Sequence, residues 1–331
     1  MSDVKNPILE VTDLRTSFFT ENGEVKAVDG ISFTIEEGKT LGIVGESGSG
    51  KSITSLSILR LLHGTTGKIL GGEIAFKGEN LMQLNEAQMM KIRGNRISMI
   101  FQEPMTSLNP TMTCGEQIAE AVRIHRKLNR KDAWESALRM LKRVNMPEPE
   151  KRARQYPFEL SGGMRQRVMI AMALSCHPDL LIADEPTTAL DVTIQAQILR
   201  RIKRLQEEFG TSLIMITHDL GVIAEVCDEV AVMYCGKIVE YTHVANIFSE
   251  PKHPYTIGLL NSIPSHEVDS EDDLEIIQGT VPSPYDLPVG CAFAPRCPFA
   301  REKCHQQMPE LTAVGEDCKV RCFIHEEGWE K

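Results

Sequence analysis

Gly45-Glu46-Ser47-Gly48-Ser49-Gly50-Lys51-Ser52 fits the pattern G-x-x-x-x-G-K-[ST]. Leu41-Gly42-Ile43-Val44 ahead of it reads as a short buried strand, and Ser52 to Leu59 behind it reads as the start of a helix. A strand, a glycine-rich turn and a helix N-terminus aim backbone N–H groups and the helix dipole at one point. Glycine lets that backbone approach phosphate oxygens closely. Gly45, Ser47, Gly48 and Gly50 then form the cradle, Lys51 reaches the β- and γ-phosphates, and the Ser52 hydroxyl ligates Mg²⁺. The alternative is a chance Gly/Ser turn. By itself the match says only that a nucleoside triphosphate binds.

The chain has 331 residues, long enough for one large domain and a smaller one. With 42% hydrophobic and 25% charged residues it reads as a soluble globular protein. A net charge of -10 argues against broad electrostatic binding to nucleic acid. No apolar run approaches the roughly 18–20 residues that span a bilayer. The stretch Met1 to Pro7 lacks a secretory apolar region. The expectation is a cytosolic chain whose membrane role, if any, comes through a partner.

The nine cysteines divide unevenly. Cys114, Cys176, Cys227 and Cys235 are scattered and read as small buried thiols of a reducing compartment. Cys291, Cys297, Cys304, Cys318 and Cys322 crowd into the last 41 residues and need a separate explanation.

Residues 8–44 read as short strands and turns, an antiparallel sheet beside the nucleotide. Residues 86–93 and 115–145 are helix-like, with Ile118, Ala121, Val122, Leu138 and Leu141 at helical spacing. Three apolar strand candidates follow at 180–183, 212–216 and 230–234, the first two separated by a helical pattern over 193–208. That alternation predicts an α/β fold with a mostly parallel sheet flanked by helices. Residues 264–290 turn acidic and then proline-rich, which reads as an exposed connector to a small C-terminal module.

Leu180-Leu181-Ile182-Ala183-Asp184-Glu185 is an apolar strand ending in two carboxylates. Asp184 suits Mg²⁺ held through its water shell. Glu185 is placed to polarise an attacking water as general base. Leu160-Ser161-Gly162-Gly163-Met164-Arg165-Gln166 is a second glycine-rich turn opening a helix, and so a second anion-binding helix terminus. One nucleotide cannot easily use two such termini of one P-loop fold. The natural solution is a second subunit, with Ser161, Gly162 and Gly163 closing over the γ-phosphate in trans.

The series 45–52, Phe101-Gln102-Glu103-Pro104, Leu160 to Gly163, Asp184-Glu185-Pro186-Thr187, Ala189-Leu190-Asp191 and Thr217-His218-Asp219 resembles the ATP-binding subunits of ABC transporters, over roughly residues 8–245. The resemblance implies a P-loop NTPase (RecA-like) core with an antiparallel β subdomain and a helical subdomain at about 105–158. It implies that Gln102 senses Mg²⁺ and the attacking water near the membrane partner. Ser161 and Gly163 face the other subunit's nucleotide, Asp191 lies at the dimer seam, and His218 contacts the γ-phosphate and positions Glu185. Adenine is expected to stack on Phe18, favoured by the family pattern over Phe19, because neighbouring strand residues point to opposite faces.

Pro251-Lys252-His253-Pro254-Tyr255-Thr256 resembles the HPYT segment of oligopeptide and dipeptide importer ATPases, and physically reads as a turn feeding a short apolar helix. Cys291, Cys297, Cys304 and Cys322 follow with spacing C-x5-C-x6-C-x17-C. That spacing lacks the C-x2-C pairs common in structural zinc sites. In peptide-importer ATPases the pattern is associated with a [4Fe-4S] cluster, and four thiolates suit either iron–sulfur or Zn²⁺ by softness. Cys318 departs from the family and is an alternative fourth ligand. Cys322 is preferred because Val320-x-Cys322 aligns with the family's closing motif.

The resulting expectation is a nucleotide-binding domain over 1–245 and a C-terminal cysteine-rich extension over 246–331. The chain is read as the ATPase of an importer of dipeptides or oligopeptides, bound peripherally at the cytoplasmic face of the membrane. Implied partners are a paralogous second ATPase subunit in a heterodimer, two transmembrane permease subunits and an extracytoplasmic substrate-binding protein, with no nucleic acid. A nickel or glutathione importer ATPase, and a soluble ABC ATPase of DNA repair or translation, are the alternatives.

Overall fold

The computed structural model describes residues 7–188, 191–262, 277–326 and 328–329. The strands are β1 (Pro7–Thr20), β2 (Gly23–Glu36), β3 (Thr40–Val44), β4 (Gly67–Phe76), β5 (Glu79–Asn80), β6 (Ile97–Ile100), β7 (Leu180–Asp184), β8 (Ser212–Thr217), β9 (Glu229–Tyr234), β10 (Lys237–His243), β11 (Thr312–Ala313) and β12 (Cys318–Val320). The helices are α1 (Lys51–Ile58), α2 (Glu86–Ile92), α3 (Pro104–Ser107), α4 (Cys114–Arg126), α5 (Arg130–Arg143), α6 (Pro149–Arg152), α7 (Gly162–Leu174), α8 (Val192–Phe209), α9 (Leu220–Val226), α10 (Val244–Ser249), α11 (Pro254–Asn261) and α12 (Glu302–Gln306).

The chain divides into two compact units. One runs to Glu10 and takes in Thr34–Thr40 and Ile74–Thr217; the other takes in Val11–Phe33, Leu41–Glu73 and the chain from His218 onward. Strands β1, β2 and β4 contribute residues to both units, in an antiparallel sheet of order β2-β1-β4-β5. The first two are 14 residues each, longer than the short strands expected from the sequence.

In the first unit β6, β7 and β8 pair in parallel, with Ile100 opposite Ala183 and Ala183 opposite Met215. All five residues of β7 are buried, which is why its sequence is a continuous apolar run rather than an alternation. The helix-like stretch 115–145 is two helices. Lys127 adopts a left-handed conformation that ends α4, and the Asn129 side chain caps α5 by accepting from the Asp132 N–H.

In the second unit β9 pairs in parallel with β3 and antiparallel with β10, and β10 carries β12 and then β11. Ile223 packs directly on the β3 backbone at Gly42, where a Cβ would lie 2.6 Å from Ile223 Cδ1. The core of this unit gathers Tyr234, Tyr255 and Phe293 with Val44, Ile223 and Ile247. The tyrosine rings lie 4.6 Å apart, and Phe293 is 5.4 Å from each. Each such buried ring contributes about 2 kcal/mol over exposure. Residues 277–290 hold no helix or strand, while the first part of the expected connector, 264–276, lies outside the described residues.

Candidate active site

The P-loop sits in the second unit, between buried β3 and α1. Gly50 is the N-cap of α1 at φ 102°, and a Cβ on it would fall 2.3 Å from the Ala27 carbonyl oxygen. Only glycine takes that conformation without strain. No side chain caps α1, so its first N–H groups face the loop, as in an anion site. Ser49 Oγ is buried with no hydrogen-bond partner. Lys51 is buried, and its Nζ donates to the carbonyls of Gly45 at 2.7 Å and Glu46 at 3.0 Å. Ser47 and Gly48 are exposed at the loop tip, and Ser52 is half-buried in the first helical turn.

Phe18 is half-buried, and a Cβ on Gly67 would touch its ring edge at 2.8 Å. Phe19 is exposed, with Lys68 Nζ 5.6 Å from its ring centroid. The two rings therefore occupy different surroundings, as neighbouring strand positions should. His218 opens this unit as an exposed residue next to Asp219, whose carboxylate caps α9 by accepting from the Gly221 N–H at 2.8 Å.

In the first unit Asp184 is buried at the end of β7. Glu185 follows at φ 46°, a left-handed conformation that costs a non-glycine residue about 1 kcal/mol. Its N–H donates to the Ile216 carbonyl at 2.9 Å, which holds the turn. Gln102 Nε2 and Thr188 Oγ1 both donate to Glu185 Oε2, at 3.1 and 2.8 Å. Two donors on one oxygen fix the plane of that carboxylate.

Ser161 is the N-cap of α7, exposed, with extended φ and ψ and no side-chain capping bond. Gly162 and Gly163 open the helix, and a Cβ on Gly163 would lie 3.3 Å from Ile194 Cγ2. One turn on, buried Gln166 donates to the Pro186 carbonyl and so ties this helix to the segment after Glu185. Asp191 is the exposed N-cap of α8, again without a side-chain capping bond. Ala189 and Leu190 of its motif lie outside the described residues.

Cys291, Cys297, Cys304 and Cys322 line one cavity in the second unit, together with His253 and Phe293. Cys318 is not on that wall. It is buried in β12 opposite Thr242, to which it is hydrogen-bonded. Burial pushes the Cys297 thiol up to about 11 and the Cys322 thiol up to about 12, and the neighbouring sulfurs add to both shifts. A cationic occupant would reverse this by stabilising thiolates. His253 is 1% exposed and accepts from the Tyr255 N–H on Nδ1, so its proton is on Nε2. That Nε2 has no partner of full hydrogen-bond geometry; the Arg321 backbone is the group that favours its proton. Among the described residues, no three His, Cys, Asp or Glu side chains are gathered to hold a metal ion.

A phosphate-binding turn, a paired strand-end carboxylate and a second glycine-opened helix define an ATP-hydrolysing cassette. Residues 28–188 match the ABC transporter family, and residues 239–304 match the family described as oligopeptide/dipeptide transporter, C-terminal region. The chain belongs to the ATP-binding subunits of ABC transporters, in the oligopeptide and dipeptide importer family. It is 54% identical to the oligopeptide transport ATP-binding protein AppD of Bacillus subtilis, over 97% of each chain. It is 53% identical to the oligopeptide transport ATP-binding protein OppD of Salmonella typhimurium, over 96% of this chain and 94% of that one. Its fold is similar to that of MJ0796, a dimeric bacterial ABC transporter cassette, with a TM-score of 0.65 and 28% identity, over 71% of this chain and 98% of the other. The chain binds ATP, and its hydrolysis powers peptide import.

Thr188, Ser49, Glu46, Tyr255 and Arg296 were not singled out from the sequence as site residues. For Thr188 a signal was present, three positions after Glu185 in a loop, the spacing at which a hydroxyl returns to a carboxylate. For Arg296 there was none.

Proposed function

We propose that this chain is one half of an ATP-driven clamp, with each ATP held between the P-loop of one subunit and Ser161, Gly162 and Gly163 of the other. The observation that carries this reading is Ser161: it stands at the N-terminus of α7 without capping it, so its hydroxyl is unspent at an anion-attracting helix end. In this reading Lys51 and the glycines Gly45, Gly48 and Gly50, with Ser47, hold the phosphates. Ser52, Gln102 and Asp184 hold Mg²⁺, Glu185 is the general base, His218 contacts the γ-phosphate, Phe18 stacks on adenine and Asp191 lies at the seam. Closure on ATP and release on hydrolysis then drive the attached membrane subunits.

The domain division is 1–245 for the nucleotide-binding part, with a helical subdomain at about 105–158, and 246–331 for the extension. The partners are a second, paralogous ATPase subunit, two transmembrane permeases and an extracytoplasmic binding protein. Exposed Met105, Ile124 and Phe158 supply apolar surface for the permeases. No described helix is long and apolar enough to cross a membrane. In this reading the chain is held peripherally at the cytoplasmic face through the permeases. In the test, Glu185→Gln protein is mixed with its paralogue, with and without Mg-ATP. ATP-dependent association lost in Ser161→Glu supports the clamp; association indifferent to ATP and to Ser161 overturns it.

We also infer that Cys291, Cys297, Cys304 and Cys322 bind a [4Fe-4S] cluster, with Zn²⁺ as the rival occupant. What supports this reading is that the four cysteines line one cavity and that four thiolates have the softness either group takes. When bound, the group would supply a rigid cross-link within the stretch from Cys291 to Cys322. Cys322 is the fourth donor and Cys318 is outside the set. Anaerobically purified protein should carry iron and sulfide; stoichiometric zinc instead would replace the cluster with its rival.

A further inference from the structure

Glu46, the second residue of the P-loop, is held from the far end of the sequence. Arg296 Nη1 donates to Glu46 Oε2 at 2.7 Å and Nη2 donates to Oε1 at 3.2 Å. This is a two-pronged guanidinium–carboxylate pair, the geometry that gives charge-assisted bonds both strength and direction. The Arg296 side chain is 4% exposed and that of Glu46 is 30% exposed. Other acceptors hold the guanidinium in place: Nη1 reaches the Tyr234 hydroxyl at 3.3 Å, and Nε donates to the Gln278 carbonyl at 3.2 Å. The Glu46 backbone is held as well, its N–H donating to the hydroxyl of fully buried Tyr255 at 2.9 Å. Both Arg296 and Tyr255 belong to the extension, and Arg296 immediately precedes Cys297.

A carboxylate in a loop that cradles phosphates opposes its own ligand. Like charges repel more strongly where water is partly excluded. We propose that Arg296 is a positioning residue for ATP: it cancels the Glu46 charge and draws that carboxylate to the extension, while Tyr255 fixes the adjoining backbone. The peptide-importer extension is then a working part of the nucleotide site. The inference rests on ATP binding and is independent of what the cysteine cavity holds.

The sign of the electrostatics supplies the test. Binding of ATP, ADP and adenosine is measured on the full chain carrying Arg296→Gln, and on the same chain carrying Glu46→Gln in addition. Arg296→Gln should weaken ATP roughly tenfold, ADP less and adenosine hardly at all. Adding Glu46→Gln should recover most of the ATP affinity, because the uncompensated charge is gone. In steady state the single variant should raise KM with kcat kept. A loss equal for all three ligands, or one that Glu46→Gln does not relieve, assigns Arg296 to packing and overturns the proposal. If Arg296→Gln does not fold, Arg296→Lys decides. It keeps the charge without the fork and should therefore keep most of the ATP affinity; a tenfold loss there that Glu46→Gln does not relieve assigns Arg296 to packing and overturns the proposal.

Discussion

Gln102 Nε2 and Glu185 Oε2 are 3.1 Å apart, and the same oxygen accepts from Thr188 at 2.8 Å. Glu185 is held there in a left-handed backbone conformation, strain of the kind that persists where surrounding structure over-determines a residue. A general base contributes about 10²–10⁴ in rate, so Glu185→Gln should lower phosphate release by roughly that factor. The amide is isosteric, so ATP binding should be kept. Turnover near wild type in a phosphate-release assay would remove Glu185 as the base. Thr188→Val should cost less, since Gln102 still orients the carboxylate.

Gly50 is a position at which the P-loop backbone has no room for a side chain. Its φ of 102° is unfavourable for any side chain, and a Cβ would collide with the Ala27 carbonyl at 2.3 Å. Gly50→Ala should therefore reshape the loop and weaken ATP binding at least about tenfold. Gly38, at φ 75° with open space around it, is the control: Gly38→Ala carries strain without collision and should leave nucleotide affinity alone. Equilibrium titration of a fluorescent ATP analogue separates the two. Equal affinities for both variants would contradict the close-approach reading.

The P-loop was legible because strand, turn and helix start are contiguous and their signals are local: an apolar run, glycines and a lysine. The start of α7 was legible for the same reason. Other features depend on pairs remote in sequence. The Arg296–Glu46 pair spans 250 positions, and no periodicity marks either residue. Strand β12 has only three residues, too few to show alternation, and owes its existence to β10. The break between α4 and α5 was partly readable: Asn129 is a good N-cap, but Lys127 in a left-handed turn carries no sequence signature. The HPYT segment reads as a turn feeding a short apolar helix, and the placement of Tyr255 against the P-loop emerges only from the fold.

The cysteines offer a discriminating pair. Cys322 shares a cavity with Cys291, Cys297 and Cys304, whereas Cys318 sits in β12 beside Thr242. Cys322→Ser should abolish iron and sulfide binding under anaerobic purification, and Cys318→Ser should retain both. The reverse pattern would make Cys318 the fourth ligand. Loss of a cross-link there should also lower the melting temperature of Cys322→Ser.

His253 makes stability depend on pH. Burial pushes its imidazole down to about 3 from an ordinary value near 6.5; the charges of His325 and Arg321 push the same way, and the Arg321 backbone opposes them. In the folded protein the ring stays neutral, while in the unfolded chain it takes up a proton once pH drops below about 6.5. The folded state is therefore not penalised above pH 6.5, and loses stability as pH falls from there toward 3. The linkage is about 1.4 kcal/mol per pH unit for one proton, so roughly 2 kcal/mol is lost by pH 5. His253→Gln removes this titration. Its urea midpoint should be lower than wild type at pH 7.5, because the Nδ1 bond to the Tyr255 N–H is weakened, but should fall less between pH 7.5 and pH 5. Identical pH slopes for the two proteins would show that His253 is solvated or protonated in the folded state.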